Sequence, residues 1–190
     1  MEKEGFRAGM KSVWIPATIE LNPSSFKTIT METITRDKDL ELFLVDALQK
    51  LYWAEQRRVS LLRGLKENSF SPGLTSAIEL QETQVVDQLE RLQQVFQLLK
   101  QDARVRTCEA FEGILKDAEV MALNKKRKTR VRDFSIMTSL ERIVHYMMAS
   151  YAMVIHVSGT LDLPEAAGLL QSSLQKEHAA DDALSSLVNQ

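Results

Sequence analysis

In four separate stretches of this chain, apolar residues recur at alternating intervals of three and four, a spacing that lines one face of a helix. The first stretch runs from about residue 40 to 66, with the seam Leu44, Leu48, Leu51, Glu55, Arg58, Leu62 and Leu65. The second opens at Ser71-Pro72, a capping serine before a proline suited to a first turn, and continues through Leu74, Ile78, Gln81, Val85, Gln88, Leu92, Val95 and Leu99. A third starts near Asp133 and carries Met137, Leu140, Val144, Met147, Tyr151 and Val154. The fourth begins near "DLPE", where Asp162 and Glu165 resemble a capping box, and places Leu170, Leu174, Glu177, Asp181, Leu184 and Val188 on one seam. Seams of this kind pack at shallow angles, so the chain is expected to be all-α, a four-helix bundle.

The links between these helices are unequal. About five residues join the first to the second and the third to the fourth, but about 30 separate the second from the third. That length suits a long crossover connection running the height of the bundle, and "CEAFEGILKDAEVMAL" (108–123) has the periodicity of a short helix within it. Residues 1–38 mix Pro, Ser, Thr and both charges without periodicity; they read as an amino-terminal extension, a flexible or docked arm in which Trp14 and Ile15 are the docking candidates. Residues 39–190 read as the bundle domain, large enough to close a core without disulfides. One cysteine, Cys108, cannot make an internal disulfide, which points to a reducing, cytoplasmic setting. No apolar run approaches the roughly 20 residues that span a bilayer, and Pro16 interrupts the apolar run nearest a secretion signal, so no membrane role is expected.

Reading the seams together isolates six polar residues at core positions near the helix midpoints: Glu55, Arg58, Gln81, Gln88, Glu177 and Asp181. At about 1.5 Å rise per residue they fall within one or two turns of one another if the helices are in register. Three carboxylates and one guanidinium in such a place demand cations, donors or solvent, because an unpaired buried carboxylate costs several kcal/mol or changes its protonation. A metal centre is one solution; a metal-free polar network is the other. An imperfect seam assignment, with these side chains lining a wet end or groove, is a further reading.

The segments "FLVDALQKLYWAEQ" (43–56), "QLERLQQVF" (88–96), "TCEAFEGIL" (107–115), "TRVRD" (129–133), "HYMMASY" (145–151) and "LLQSSLQKEHAADDAL" (169–184) resemble the YciE and YciF stress proteins of the ferritin-like superfamily. The resemblance spans about residues 39–188 and implies a ferritin-like bundle with a crossover, a dimer, a stress-response association and a two-metal site. Carried over residue by residue, it puts Glu55 at the first-helix carboxylate and Glu177 and Asp181 at the acidic pair of the fourth helix. The family's two third-helix glutamates fall at Val144 and Met147, so those ligand positions are lost. Gln81 stands where a histidine is usual, Gln88 keeps the usual residue, and Arg58 replaces an apolar one. The resemblance therefore implies a degenerate di-iron site in which Arg58, three residues from Glu55, substitutes for metal charge.

Three functional readings follow. The leading one is a non-enzymatic, cytoplasmic, homodimeric stress-response-type protein without a cofactor, its protein partners unspecified. The second is a metal-dependent oxidase or peroxide-handling protein, with iron or manganese held weakly or singly by Glu55, Glu177 and Asp181. The third is a DNA-associated stress protein using "KKRKTRVR" (125–132), six basic side chains in eight residues. That run lacks interleaved aromatics for base stacking, and the net charge of -2 gives no general attraction to nucleic acid, so a solvated connection is favoured. His145 and His178 sit one residue off their seams and read as packed or rim histidines rather than ligands; the methionines read as core filling and Cys108 as a buried or inert thiol.

Overall fold

A computed structural model describes residues 31–122 and 129–188. The extension through residue 30, with Trp14 and Ile15, and the basic residues Lys125–Lys128 lie outside the described residues. Among the described residues five helices follow in order: α1 (Met31–Asn68), α2 (Pro72–Leu98), α3 (Glu109–Ala122), α4 (Arg130–Thr160) and α5 (Pro164–Val188). Among the described residues there is no strand, and no helix is long and apolar enough to cross a membrane. α1 starts at Met31, before the position where the apolar seam becomes readable.

Four helices close a ring in which α1 packs on α2, α2 on α5, α5 on α4 and α4 on α1. Directions follow from two hydrogen bonds: Phe70 N–H and Ser71 N–H, just before α2, donate to the two oxygens of Asp133 in the first turn of α4 at 2.7 and 2.8 Å. The starts of α2 and α4 therefore share one end of the bundle, and these helices run parallel. The connection from α2 must return the full height, as a ferritin-like crossover does. It leaves α2 through a left-handed Lys100 (φ 54°), whose N–H reaches Gln97 O while Gln101 N–H reaches Phe96 O. Asp162 (φ 56°) ends α4 in the same way, with Asp162 N–H on Gly159 O and Leu163 N–H on Ser158 O. Both are Schellman endings that satisfy last-turn carbonyls.

The returning chain docks on α1 through Arg106, whose N–H donates to Gln49 O and whose guanidinium pairs with Asp46. α3 then lies against α1 and α4. Its buried stripe, Phe111, Leu115 and Ala118, has helical spacing, and the Phe111 ring stacks 4.8 Å from Tyr146 and meets Trp53 edge-on.

Two expected caps differ. Ser71 has the extended backbone of an N-cap, but its side chain makes no cap hydrogen bond, and the Asp133 carboxylate from α4 takes the N–H groups there. Asp162 is left-handed, not extended, so it terminates α4, and α5 begins instead on Pro164 at its first position. At the α2 start a side chain on Gly73 would meet Leu187 Cδ2 at 3.1 Å, so the absence of a Cβ permits the close approach to the end of α5. Asp133→Ala should strand two N–H groups beside a 4 %-exposed position and lower unfolding free energy by about 2 kcal/mol, read from the denaturant midpoint. An unchanged midpoint would contradict this role for Asp133.

Candidate polar layer at the bundle centre

The seams of α1, α2 and α4 point inward as spaced: Leu44, Leu48, Leu51, Leu62 and Leu65, then Leu74, Ile78, Val85, Leu92 and Val95, then Leu140, Val144, Met147, Tyr151 and Val154 are all buried. Polar side chains interrupt this core at one height. Glu55 and Arg58 come from α1, Gln88 from α2, Tyr151 from α4 and Glu177 from α5, and none is more than 2 % exposed.

Their hydrogen bonds form one cluster. Arg58 Nη1 donates to Glu177 Oε1 at 2.7 Å and to Glu55 Oε2 at 3.0 Å, while Nη2 donates to Glu177 Oε2 at 3.3 Å. Gln88 Nε2 donates to Glu177 Oε1 at 2.8 Å and, more weakly, to the Ser173 carbonyl at 3.4 Å. Tyr151 O–H donates to Glu55 Oε1 at 2.7 Å. All four carboxylate oxygens thus have a protein donor. Arg58 Nε and Gln88 Oε1 are the atoms of the cluster without a protein partner.

Burial sets the electrostatics. It pushes the Glu55 carboxyl up to about 7; Arg58 opposes the rise, the Glu177 charge adds to it, and the hydrogen bonds from Tyr151 and Arg58 oppose it. For Arg58, burial works against the charge, but Glu177 and Glu55 more than offset it and hold the guanidinium above its ordinary range. Burial, then the Glu55 carboxylate, pushes the Tyr151 phenol well above its usual value, so it remains a donor. Two carboxylates against one guanidinium leave a formal charge of minus one, and burial favours a proton on Glu55.

The other sequence candidates fall elsewhere. Gln81 is buried but its Oε1 has no hydrogen-bond partner among the described residues, and it sits seven residues from Gln88, roughly 10 Å along α2. Asp181 departs from the expected layer: its side chain is 28 % exposed, with Oδ1 2.8 Å from Nε2 of the exposed His145. The reason is the inner face of α5, which runs through Ala166, Leu170, Ser173, Glu177, Ala180 and Leu184. Small residues at 173 and 180 face the core, displacing Leu174 and Asp181 to its edge; the side chain of Val188 lies outside the described residues. Val144 and Met147 are fully buried on the α4 seam they share with Tyr151. Tyr151, which the spacing groups with apolar residues, is the layer's α4 member; the signal for it was its hydroxyl, which a buried tyrosine must place on a partner.

These residues do not fit a two-metal centre. The position between the carboxylates is filled by the Arg58 guanidinium, and the other side chains bonded to them are the Tyr151 phenol and the Gln88 amide, neither of which is a carboxylate or imidazole ligand. Among the described residues no three His, Cys, Asp or Glu side chains form a group able to hold a metal ion. The surface grooves between α1 and α4 (about 300 Å³) and between α2 and α5 (about 730 Å³) are lined by other residues.

Comparison with known proteins agrees with this architecture. A family model described as "Domain of unknown function (DUF892)" matches residues 39–190. Protein YciF of Escherichia coli (strain K12) is 26% identical over 153 residues, covering 80% of this chain and 91% of that protein. The crystal structure of the E. coli stress protein YciF matches with a TM-score of 0.74 at 26% identity, covering 78% of this chain and 93% of that one. YcfI from Rhodopseudomonas palustris matches with a TM-score of 0.71 at 28% identity, covering 85% and 96% respectively.

Glu55 gives the layer a pH signature. Its ordinary value of 4.5 applies in the unfolded chain and about 7 in the folded one. Below 4.5 both states hold the proton and this group costs nothing; between 4.5 and 7 the unfolded state ionises first and stability falls; above 7 the penalty is constant. Unfolding free energy should therefore decline across that window by on the order of 3 kcal/mol more than in Glu55→Gln. Parallel pH profiles for the two proteins would refute the assignment.

Proposed function

We propose a role for this chain from the premise that it belongs to the DUF892 family and is YciF-like across its bundle: a non-enzymatic stress-response-type protein with a degenerate di-metal site. The observation that carries the reading is the saturation of the buried carboxylates, since each Glu55 and Glu177 oxygen already accepts a hydrogen bond from Arg58, Tyr151 or Gln88. A metal-dependent oxidase needs carboxylates free to coordinate and an open position for substrate. To serve the iron or manganese reading, Arg58 would have to leave the layer and Asp181 would have to turn away from His145. The stress association comes from the E. coli relative, which is described as a stress protein. A homodimer that presents its helix surfaces to partners in the cytoplasm completes the proposal, through the family resemblance and the single cysteine.

Protein purified without chelator should contain only sub-stoichiometric iron and manganese and should oxidise ferrous iron or consume peroxide no faster than buffer. Near-stoichiometric metal, or turnover that Glu55→Gln abolishes, would overturn the reading. Arg58→Leu should lower unfolding free energy by about 3 to 5 kcal/mol, because it leaves two buried carboxylates without their cation. A loss no larger than that of a surface substitution would contradict the role given to Arg58.

A further inference from the structure

We infer that the central layer is a guanidinium site: its acceptors select a flat, forked monocation over a spherical divalent ion, and the chain fills it with Arg58. The inference rests on the functional reading above and makes its cation specific. One nitrogen, Arg58 Nη1, bridges carboxylates from two helices, at 3.0 Å to Glu55 and 2.7 Å to Glu177, while the second nitrogen completes a two-point contact with Glu177. A two-point contact with one carboxylate matches the planar fork of a guanidinium; an ammonium is a point charge and cannot reproduce it.

The carboxylates are positioned independently of Arg58. Tyr151 holds Glu55 Oε1 from α4, and Gln88 holds Glu177 Oε1 from α2. Tyr151 and Gln88 are thus positioning residues: they fix the acceptors and also occupy lone pairs that a divalent ion such as manganese(II), octahedral with oxygen ligands, would need. Asp181, paired with His145 outside the layer, adds no third carboxylate. Shortening Arg58 should therefore leave a cavity that keeps its acceptors and accepts a free guanidinium-type ion.

The test is thermal unfolding of the full chain carrying Arg58→Ala, titrated with methylguanidinium, methylammonium or manganese(II) chloride. Methylguanidinium should raise the variant's Tm saturably and leave the wild-type Tm unchanged, while methylammonium and manganese(II) should not stabilise the variant. Arg58→Lys, which keeps the charge and loses the fork, should remain well below wild type. Adding Tyr151→Phe to Arg58→Ala should weaken the methylguanidinium midpoint about tenfold, the loss of one positioning hydrogen bond.

Equal rescue by manganese(II) or methylammonium, absence of rescue, or wild-type stability in Arg58→Lys would each overturn the inference. If Arg58→Ala does not fold alone, helical signal should return on refolding with methylguanidinium, and failure to return counts against it. Metal content of the wild-type chain tests the functional reading separately, so the two can fail independently.

Discussion

Two carboxylates lie buried at the centre of this bundle, and the rest of the structure depends on positive charge reaching them. Glu55 and Glu177 are at most 1 % exposed, so water cannot solvate them. Leaving either unpaired would cost several kcal/mol, a large share of the stability of a domain this size. The Arg58 guanidinium supplies the charge at 2.7 and 3.0 Å, and Gln88 and Tyr151 bring donors from the two helices that contribute no charge. Every helix of the ring thus has a side chain in one hydrogen-bonded cluster. Such a cluster fixes the vertical register of the helices, because sliding any one by a turn would strand a buried polar group. Hydrocarbon seams alone enforce register weakly, since one leucine layer packs much like the next.

The crossover is held by different means at each end. Arg106 clips it to α1 as it leaves α2, and Phe111 seats α3 beside Trp53 and Tyr146. At the far end Asp133 joins the return to the α1–α2 hairpin by accepting both loop N–H groups. The crossover is thereby fixed by polar contacts at its two ends and aromatic packing of α3 between them, while the ring itself closes on apolar burial. Within this frame the polar layer is local: a guanidinium between two carboxylates and a phenol from α4, with Val144 and Met147 buried as hydrocarbon on the same helix.

The fold was legible because large apolar residues mark most positions of the seams of α1, α2 and α4, broken only near mid-height in α1 and α2, and the long second link gave the crossover. α5 was harder. Its inner face uses Ser173 and Ala180, and small residues carry little hydrophobic signal, so Leu174 and Asp181 read as seam positions when they lie at its edge. The same ambiguity placed Asp181 in the layer and overstated its negative charge. Glu55, Arg58, Gln88 and Glu177 were visible as polar breaks in apolar seams, and the structure brings them into one cluster. Tyr151 was hidden because its ring satisfies the apolar pattern while its hydroxyl does polar work. Asp133 is hidden in the sequence because N-cap motifs are local, and here the acceptor comes from another helix 62 residues away.

A double-mutant cycle between Arg58→Leu and Glu177→Gln, measured by denaturant unfolding, bears most directly on the claim that the chain's own arginine neutralises its buried carboxylates. The account predicts two destabilised single variants and a double variant more stable than their sum by roughly 2 kcal/mol. Additivity within about 0.5 kcal/mol would show that the two side chains do not support one another and would contradict it.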